Sequence, residues 1–282
     1  MVMLQKLFIL LVINWLILLS GGVFAGGKLV GSSGVTQIEG SGGGGIVPWA
    51  TLAGSGTRDE VSGSAFFSAV SVDDFRMSAY GVSYAFRDRV EVSVAHQEFR
   101  SDDKTVQLAQ NVLGMKVRLF GDLVYTPWPQ VALGAQYKNA SSSNAIRFLG
   151  AKKDHGVDYY LAVTKAWLDG PLHRTFVLNT TLRYSKANQL GLLGFGGDKQ
   201  DGYLGLLEAS AVIFVTRHWA LGAEYRQKPN QLNAIKEDDW KDLFVTYIPN
   251  KKAALSFAVV DLGRIGGRKK QTGGYLSLQI AY

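Results

Sequence analysis

The sequence predicts an all-β protein, an antiparallel up-and-down transmembrane β-barrel of about twelve strands, or about fourteen if residues 26–60 contribute a pair. From about Val61 onward, short segments carry an apolar residue at every second position, which is the period of a β-strand. The connections between these segments alternate between short and long. Aromatic residues gather at both ends of the segments, as membrane interfaces select.

The composition excludes several classes of protein. The chain has 282 residues, of which 47% are hydrophobic and 19% charged, with 33 Gly, no Cys and a formal net charge of +7. This hydrophobic fraction excludes a disordered chain. The absence of Cys excludes disulfide scaffolds, thiol catalysis, iron–sulfur clusters and Cys-based zinc sites.

Residues 1–25 have the pattern of a cleaved signal peptide. Lys6 is their only charge, Leu7 to Leu19 is apolar apart from Asn14, and small residues lead up to Ala25. The apolar stretch is shorter than the roughly 20 residues that a membrane-spanning helix needs. We therefore expect export and no nucleic-acid partner.

Residues 26–60 do not follow the strand repeat and form a Gly-rich segment of their own. Consecutive glycines free the backbone from steric limits, so the segment can line a narrow space. Three alternatives stay open: an inward-folded plug or constriction, an extra strand pair, and a periplasmic tail. The candidate constriction residues are Gly42, Gly43, Gly44, Gly45, Pro48 and Trp49.

The same segment resembles a known family. The runs Gly34-Val35-Thr36-Gln37-Ile38-Glu39-Gly40, Gly43 to Ala50 and Gly56-Thr57-Arg58-Asp59-Glu60 look like the opening of an uncharacterised Gram-negative exported family, a domain of unknown function. The resemblance is close over about 26–100 and looser beyond. It implies an exported, outer-membrane protein and brings no activity or catalytic residues.

The predicted barrel occupies residues 61–282. Its strands are expected at 61–71, 75–86, 89–99, 112–120, 130–138, 157–168, 173–185, 202–215, 219–228, 240–248, 252–260 and 274–282. Long polar loops at 100–111, 139–156, 186–201, 229–239 and 261–273 are expected outside the cell, and short turns in the periplasm.

Two aromatic belts are expected at the ends of these strands. A soluble sandwich or lipocalin-like barrel shares the alternation but does not require such belts or charges on its inner face. The belt near the short turns comprises Phe86, Trp128, Trp167, Phe214, Trp219 and Tyr247; the belt near the long loops comprises Tyr184, Tyr203, Tyr225, Trp240 and Tyr275.

The polar face of the strands predicts the lumen. Its candidate residues are Arg89, Glu91, Lys116, Arg118, Lys138, Arg183, Glu208, Glu224 and Arg226. Their basic excess favours anions if the pore is open. The alternative is that internal ion pairs, Arg183 with Glu208 and Glu224 with Arg226, fill the barrel.

The last strand resembles the terminal strand signal of bacterial outer-membrane barrels, which the barrel assembly machinery recognises. The residues that carry this predicted assembly signal are Leu276, Leu278, Ile280 and Tyr282. Tyr at the last position is a departure from the usual Phe.

The functional prediction is a narrow, porin-like channel for small solutes, gated by residues 26–60. The alternatives are a non-conducting structural or lipid-contacting barrel and, third, a lipid-modifying enzyme. The sequence has no Gly-x-Ser-x-Gly or His-Glu-x-x-His motif and its four His are scattered, so we expect no enzyme, cofactor or metal site. Expected partners are outer-membrane lipids, lipopolysaccharide, the assembly machinery and a small solute that the sequence does not identify.

Overall fold

A computed structural model describes residues 27–141 and 143–282. The predicted signal peptide lies outside the described residues. Two short strands, β1 (Val35–Thr36) and β2 (Gly42–Gly43), precede twelve longer ones. These are β3 (Val61–Val72), β4 (Phe75–Phe86), β5 (Val90–Ser101), β6 (Gln107–Phe120), β7 (Gln130–Ala140), β8 (His155–Trp167), β9 (Phe176–Ser185), β10 (Leu204–Phe214), β11 (Trp219–Arg226), β12 (Trp240–Asn250), β13 (Ala253–Asp261) and β14 (Thr272–Ala281).

Within the described residues, the twelve long strands form one closed antiparallel barrel. Each strand pairs with its neighbours in sequence, and β14 pairs with β3 through registers such as Leu278 with Phe67. Closure leaves no strand edge unpaired, which a membrane-spanning sheet requires. The predicted fold class is confirmed.

The alternation in sequence becomes an inner and an outer face. Along β7, Leu133 and Tyr137 are exposed on the outer face, whereas Gln136 and Lys138 are buried inside. Large apolar side chains therefore cover the outside of the barrel, where lipid replaces water as their surroundings.

Aromatic pairs lie at the ends of the strands, as the predicted belts require. Near the short turns the ring centroids of Trp219 and Tyr247 are 4.6 Å apart, and near the long loops Tyr184 stacks on Tyr203 at 4.7 Å. Three predicted members do not belong to the belts: Trp240 and Tyr275 are buried inside the barrel, and Phe214 packs against the inner cluster. Their positions have the inward parity of their strands.

Residues 36–56, which we name the plug, are all buried within the barrel. Strands β1 and β2 pair with each other, at Val35 with Gly43 and Thr36 with Gly42, and within the described residues they join no strand of the barrel. The fourteen-strand alternative is therefore wrong, because these residues cross the interior instead of extending the wall.

The loops opposite the short turns partly cover that end of the barrel. They include a short helix, α1 (Ser143–Phe148), and a single 3₁₀ turn at Asn188–Gly191 that is buried. Gln189 and Leu190 adopt positive φ angles of 44° and 62°, an uncommon conformation for residues other than Gly. Among the described residues, no helix is long and apolar enough to cross a membrane.

Candidate functional site

The plug turns sharply against the barrel wall, and its glycines are what permit this. A Cβ atom on Gly43 would lie 2.5 Å from the carbonyl oxygen of Val47, and one on Gly44 would overlap the carboxylate of Glu224. Any larger residue would have to displace the wall or the chain itself. The glycines therefore allow the plug to turn tightly and to approach the barrel wall closely.

Most of the predicted constriction residues, and their neighbour Ile46, contact a side chain of the wall. The amides of Gly45 and Ile46 donate to Glu224 Oε2 at 2.7 and 2.9 Å. Thr181 Oγ1 donates to the carbonyl oxygen of Pro48 at 2.7 Å. Trp49 Nε1 donates to Ser210 Oγ at 2.9 Å.

Glu39 of the plug is the centre of a buried ion cluster. Its carboxylate contacts Lys138 and lies 2.9 Å from Arg226 Nη1 and 3.5 Å from Arg183 Nη2. Burial alone would raise the pKa of Glu39, but Arg226, Lys138 and Arg183 outweigh it and hold this pKa well below its usual range. Glu39 is thus a carboxylate that three strands of the wall bind at once.

The same basic side chains also pair with acidic residues of the wall. Arg183 Nε lies 2.6 Å from Glu208 Oε1, Arg226 Nε lies 3.1 Å from the same oxygen, and Lys138 Nζ lies 2.6 Å from Asp158 Oδ2. The predicted Arg183–Glu208 pair is present. The predicted pairing of Arg226 with Glu224 is replaced, since Arg226 binds Glu39 and Glu208 while Glu224 binds plug amides.

A second anchor lies on β5 and β6. Lys116 Nζ donates to the carbonyl oxygens of Gly42, Trp49 and Thr51 at 2.8, 3.1 and 2.6 Å. Glu91, 3.4 Å from Lys116 Nζ, accepts from the amide of Gly42 at 3.1 Å. Because both charges bind plug backbone, they hold the conformation of the plug without needing particular plug side chains.

Two predicted lumen residues lie near the short turns. Arg118 is buried and contacts Asp88 and Asp122. Arg89 does not line the lumen: it is exposed in the turn between β4 and β5. The predicted strand began one residue too early there, and this put Arg89 inside.

The predicted basic excess of the wall is not present. Inward-facing wall residues include Asp158 and Asp242, which sequence reasoning missed, in addition to the predicted Glu91, Glu208 and Glu224. They balance the five buried basic residues Lys116, Lys138, Arg118, Arg183 and Arg226. Asp158 and Asp242 lie at inward positions close to the ends of their strands, so strand parity was the signal that could have found them.

A buried ion pair connects two of the loops that cover the end of the barrel opposite the short turns. Lys228 Nζ lies 3.0 Å from Glu237 Oε2, and Glu237 also accepts from the amide of Gln189 at 2.9 Å. Burial raises the pKa of Glu237 and lowers that of Lys228, since it disfavours either charge. The pair links the 227–239 loop to the buried turn at Asn188–Gly191.

The four histidines lie apart from one another. His96 Nδ1 is 2.7 Å from Asn111 Oδ1 on the outer face, His155 and His173 contact the loop residues Asp154 and Asp169, and His218 contacts the carbonyl oxygen of Ile248. Within the described residues, none has a serine hydroxyl as its hydrogen-bond partner.

A closed antiparallel barrel with an apolar outer face and a polar, plugged interior defines an outer-membrane-type β-barrel. The chain belongs to the family described as "Protein of unknown function (DUF3034)", whose model matches residues 32–279. The resemblance seen at the start of the sequence, to a family known as a domain of unknown function, is thereby confirmed. No curated protein matches the chain.

Solved structures with a similar fold include porins. The KdgM porin has a TM-score of 0.50 at 11% identity, covering 78% of this chain and 99% of its own. The "KdgM porin in complex with disordered oligogalacturonate" has a TM-score of 0.50 at 10% identity with the same coverage. Omp33 of Acinetobacter baumannii has 0.47 at 10% identity, covering 80% of this chain and 100% of its own. At such identities the likeness shows the fold alone.

Proposed function

We propose that the protein is a porin-like passage for small solutes across the outer membrane, and that the plug closes it. The observation that carries this proposal is the nature of the contact between plug and wall. The wall holds the plug through Glu91, Lys116, Lys138, Arg183, Glu224 and Arg226, and these are side chains that water also solvates. A passage that opens needs a lining of this kind.

The wall behind the plug has small inward-facing side chains. The hydroxyl groups of Ser64 and Ser83 on neighbouring strands share one hydrogen bond of 2.8 Å, and Gly114 pairs with Ser93 across β6 and β5. A barrel of about eight strands is filled by its own wall side chains, whereas the twelve strands here enclose a wider interior. Here chain from residues 36–56 takes that space, so its displacement would leave a polar lumen.

The KdgM neighbour is described as a porin and as binding oligogalacturonate, which supports the passage but not a particular solute. The balanced charges of this wall give no general preference for anions. The solute class therefore has to come from other features of this interior.

A reversible disulfide between plug and wall, which we call the lock, tests whether the plug is the gate of the passage. Thr36 Oγ1 lies 2.9 Å from Ser64 Oγ, and the chain has no Cys of its own, so Thr36→Cys with Ser64→Cys places a single thiol pair across plug and wall. In planar bilayers we expect the reduced double variant to open transiently and the oxidised one to stay closed. Ser64→Cys alone is the control and should be indifferent to oxidation.

A variant lacking residues 36–56 completes the test. We expect it to conduct continuously. If neither this variant nor the full chain conducts, the non-conducting structural barrel replaces the passage as the proposed function. If both redox states of the lock open equally, the plug is not the gate.

We further propose that the protein is not an enzyme, because its histidines are dispersed over separate strands and loops. Export would use the signal peptide at 1–25, and assembly would use the machinery that recognises the last strand. Lipopolysaccharide phosphates would meet Lys152, Lys153, Lys269 and Lys270 on the loops opposite the short turns. Arg264 and Arg268 in the same region already bind Asp238 and Asp74.

The orientation can be tested with protease-cleavable tags. Residues 188–197 are buried, so the tag belongs after the exposed Lys199, with a second tag after the exposed Asn250. On intact cells we expect cleavage only at the first. Cleavage only at the second would invert the barrel in the membrane.

A further inference from the structure

A cavity of about 260 Å³ lies in the barrel between the plug and the loops opposite the short turns. The plug residues Ile38 and Ile46 line it from one side, and Leu193 and Ile235 of those loops from another. Val260 of β13 is part of its wall. The cavity therefore adjoins the segment that closes the lumen.

The lining of this cavity is apolar, in contrast to the polar contacts of the plug. A buried water needs about two to four polar partners, so a space lined mainly by aliphatic and aromatic groups favours an apolar guest over water. An apolar cavity of about 150 Å³ takes up benzene, so this one has room for a somewhat larger molecule.

The charged groups at the edge of the cavity are already neutralised. Arg76 Nε lies 3.1 Å from Asp102, and Arg268 lies 2.8 Å from Asp74 and 2.7 Å from Asp103. A charged guest would gain no unpaired partner from them and would lose its hydration. The lining thus fits an uncharged molecule.

One polar group on the lining has no partner. Trp240 is 5% exposed, and its indole Nε1 has no hydrogen-bond partner among the residues that the structure describes. A buried donor left unpaired is costly, and buried Trp side chains usually find an acceptor. A guest with one acceptor oxygen would supply it.

We propose that this cavity binds a small, uncharged, mainly apolar molecule that carries a single hydrogen-bond acceptor, such as an aromatic ketone. This proposal identifies a class of solute for the proposed passage. It rests on the proposed function only for the onward movement of the solute through the barrel. Binding itself follows from the cavity.

Calorimetric titration of the full mature chain in lipid nanodiscs tests the site, with protein-free nanodiscs as the blank for partition into lipid. The probe is acetophenone. Val260→Trp fills the cavity, and the matched control Val259→Trp places the same side chain on the neighbouring residue, which is 71% exposed on the lipid face. We expect saturable binding to the wild type and to Val259→Trp and none to Val260→Trp, with heat-modifiable gel migration confirming that both variants fold.

A second comparison isolates the hydrogen bond and does not depend on the folding of Val260→Trp. α-Methylstyrene has nearly the shape of acetophenone but lacks the carbonyl oxygen. Trp240→Phe should weaken acetophenone binding about fivefold more than α-methylstyrene binding, because the loss of ring volume affects both probes and the loss of the N–H affects only acetophenone. An equal effect on both probes would overturn the acceptor, and no saturable binding of either probe to the wild type would overturn the site.

Failure of the site can be told apart from failure of the passage. Conductance of the variant lacking residues 36–56 does not depend on acetophenone, and calorimetric binding does not depend on conduction. Binding without conductance would retain the site and discard the passage, whereas conductance without binding would do the reverse.

Discussion

Arg226 of the barrel wall and Glu39 of the plug are 187 residues apart in sequence, yet Arg226 Nη1 lies 2.9 Å from Glu39 Oε2. Both side chains are buried, so water does not screen this contact. Removing one member of a buried pair leaves the other charge unpaired, which is more costly than losing an exposed pair. The seating of the plug should therefore depend strongly on the charge of Glu39.

Glu39→Gln should loosen the plug. The change removes the carboxylate that Lys138, Arg183 and Arg226 share, and breaking a buried pair costs about 3 to 5 kcal/mol. We expect frequent channel openings in planar bilayers and faster proteolysis of the plug. Glu98→Gln, on an exposed side chain, is the control. A closed, protease-resistant Glu39→Gln variant would contradict the role of the cluster.

The pH dependence of the plug follows from the same carboxylate. The pKa of Glu39 is held well below its usual range when the plug is seated and returns to that of an ordinary glutamate when the plug is released. A depressed folded pKa stabilises seating fully above the released value and loses that contribution only as the pH falls through the depressed one. We expect conductance to stay low from pH 7 to about 5. Opening within this range would show that another group controls the plug.

The positions of the strands follow from the sequence more closely than their ends do. The predicted strand 75–86 is observed as Phe75–Phe86, but the predicted 112–120 is observed as Gln107–Phe120. In the added residues, Gln107 and Asn111 occupy the outer face. We infer that this end of β6 lies beyond the apolar band, where the outer face has no need of apolar side chains and the alternation disappears.

The partners of the inward residues could not be predicted from alternation. Gln136 and Gln279 have the parity of any lumen residue, and on that basis alone either should tolerate polar substitution. Instead Gln136 accepts from Arg183 Nη1 at 2.8 Å, and Gln279 accepts from Thr36 Oγ1 of the plug at 2.9 Å. Parity identifies a face, whereas these contacts depend on how a distant segment crosses it.

Leu133→Arg should destabilise the barrel from its lipid face. Leu133 is 50% exposed on the outer face of β7, and a charge there costs about 2 to 4 kcal/mol at the midplane of a bilayer. Unfolding by denaturant in lipid vesicles measures the change. Leu168→Arg, in the turn after β8, is the matched control and should cost about 0 to 1 kcal/mol near the interface. Equal stability of the two variants would count against membrane embedding.

Assembly should depend on the last strand. Leu276, Leu278 and Ile280 are exposed on the outer face of β14, and Tyr282 exchanges two backbone hydrogen bonds of 3.0 Å with Gly63 of β3, the first strand of the barrel. These groups close the barrel. Deleting Tyr282, or Leu278→Asp, should therefore lower the amount of protein in the outer membrane and expose the remainder to periplasmic proteolysis.

Tyr125→Ala is the control for the loss of an aromatic side chain, since Tyr125 is 77% exposed in the turn after β6. It should leave outer-membrane levels unchanged. The measurement is immunoblotting of membrane fractions with and without heating, because a closed barrel migrates differently once it is unfolded. If the chain lacking Tyr282 reaches wild-type levels and still shifts on heating, the terminal residue is not part of the assembly signal, and barrel closure depends on the paired residues of β14 and β3 alone.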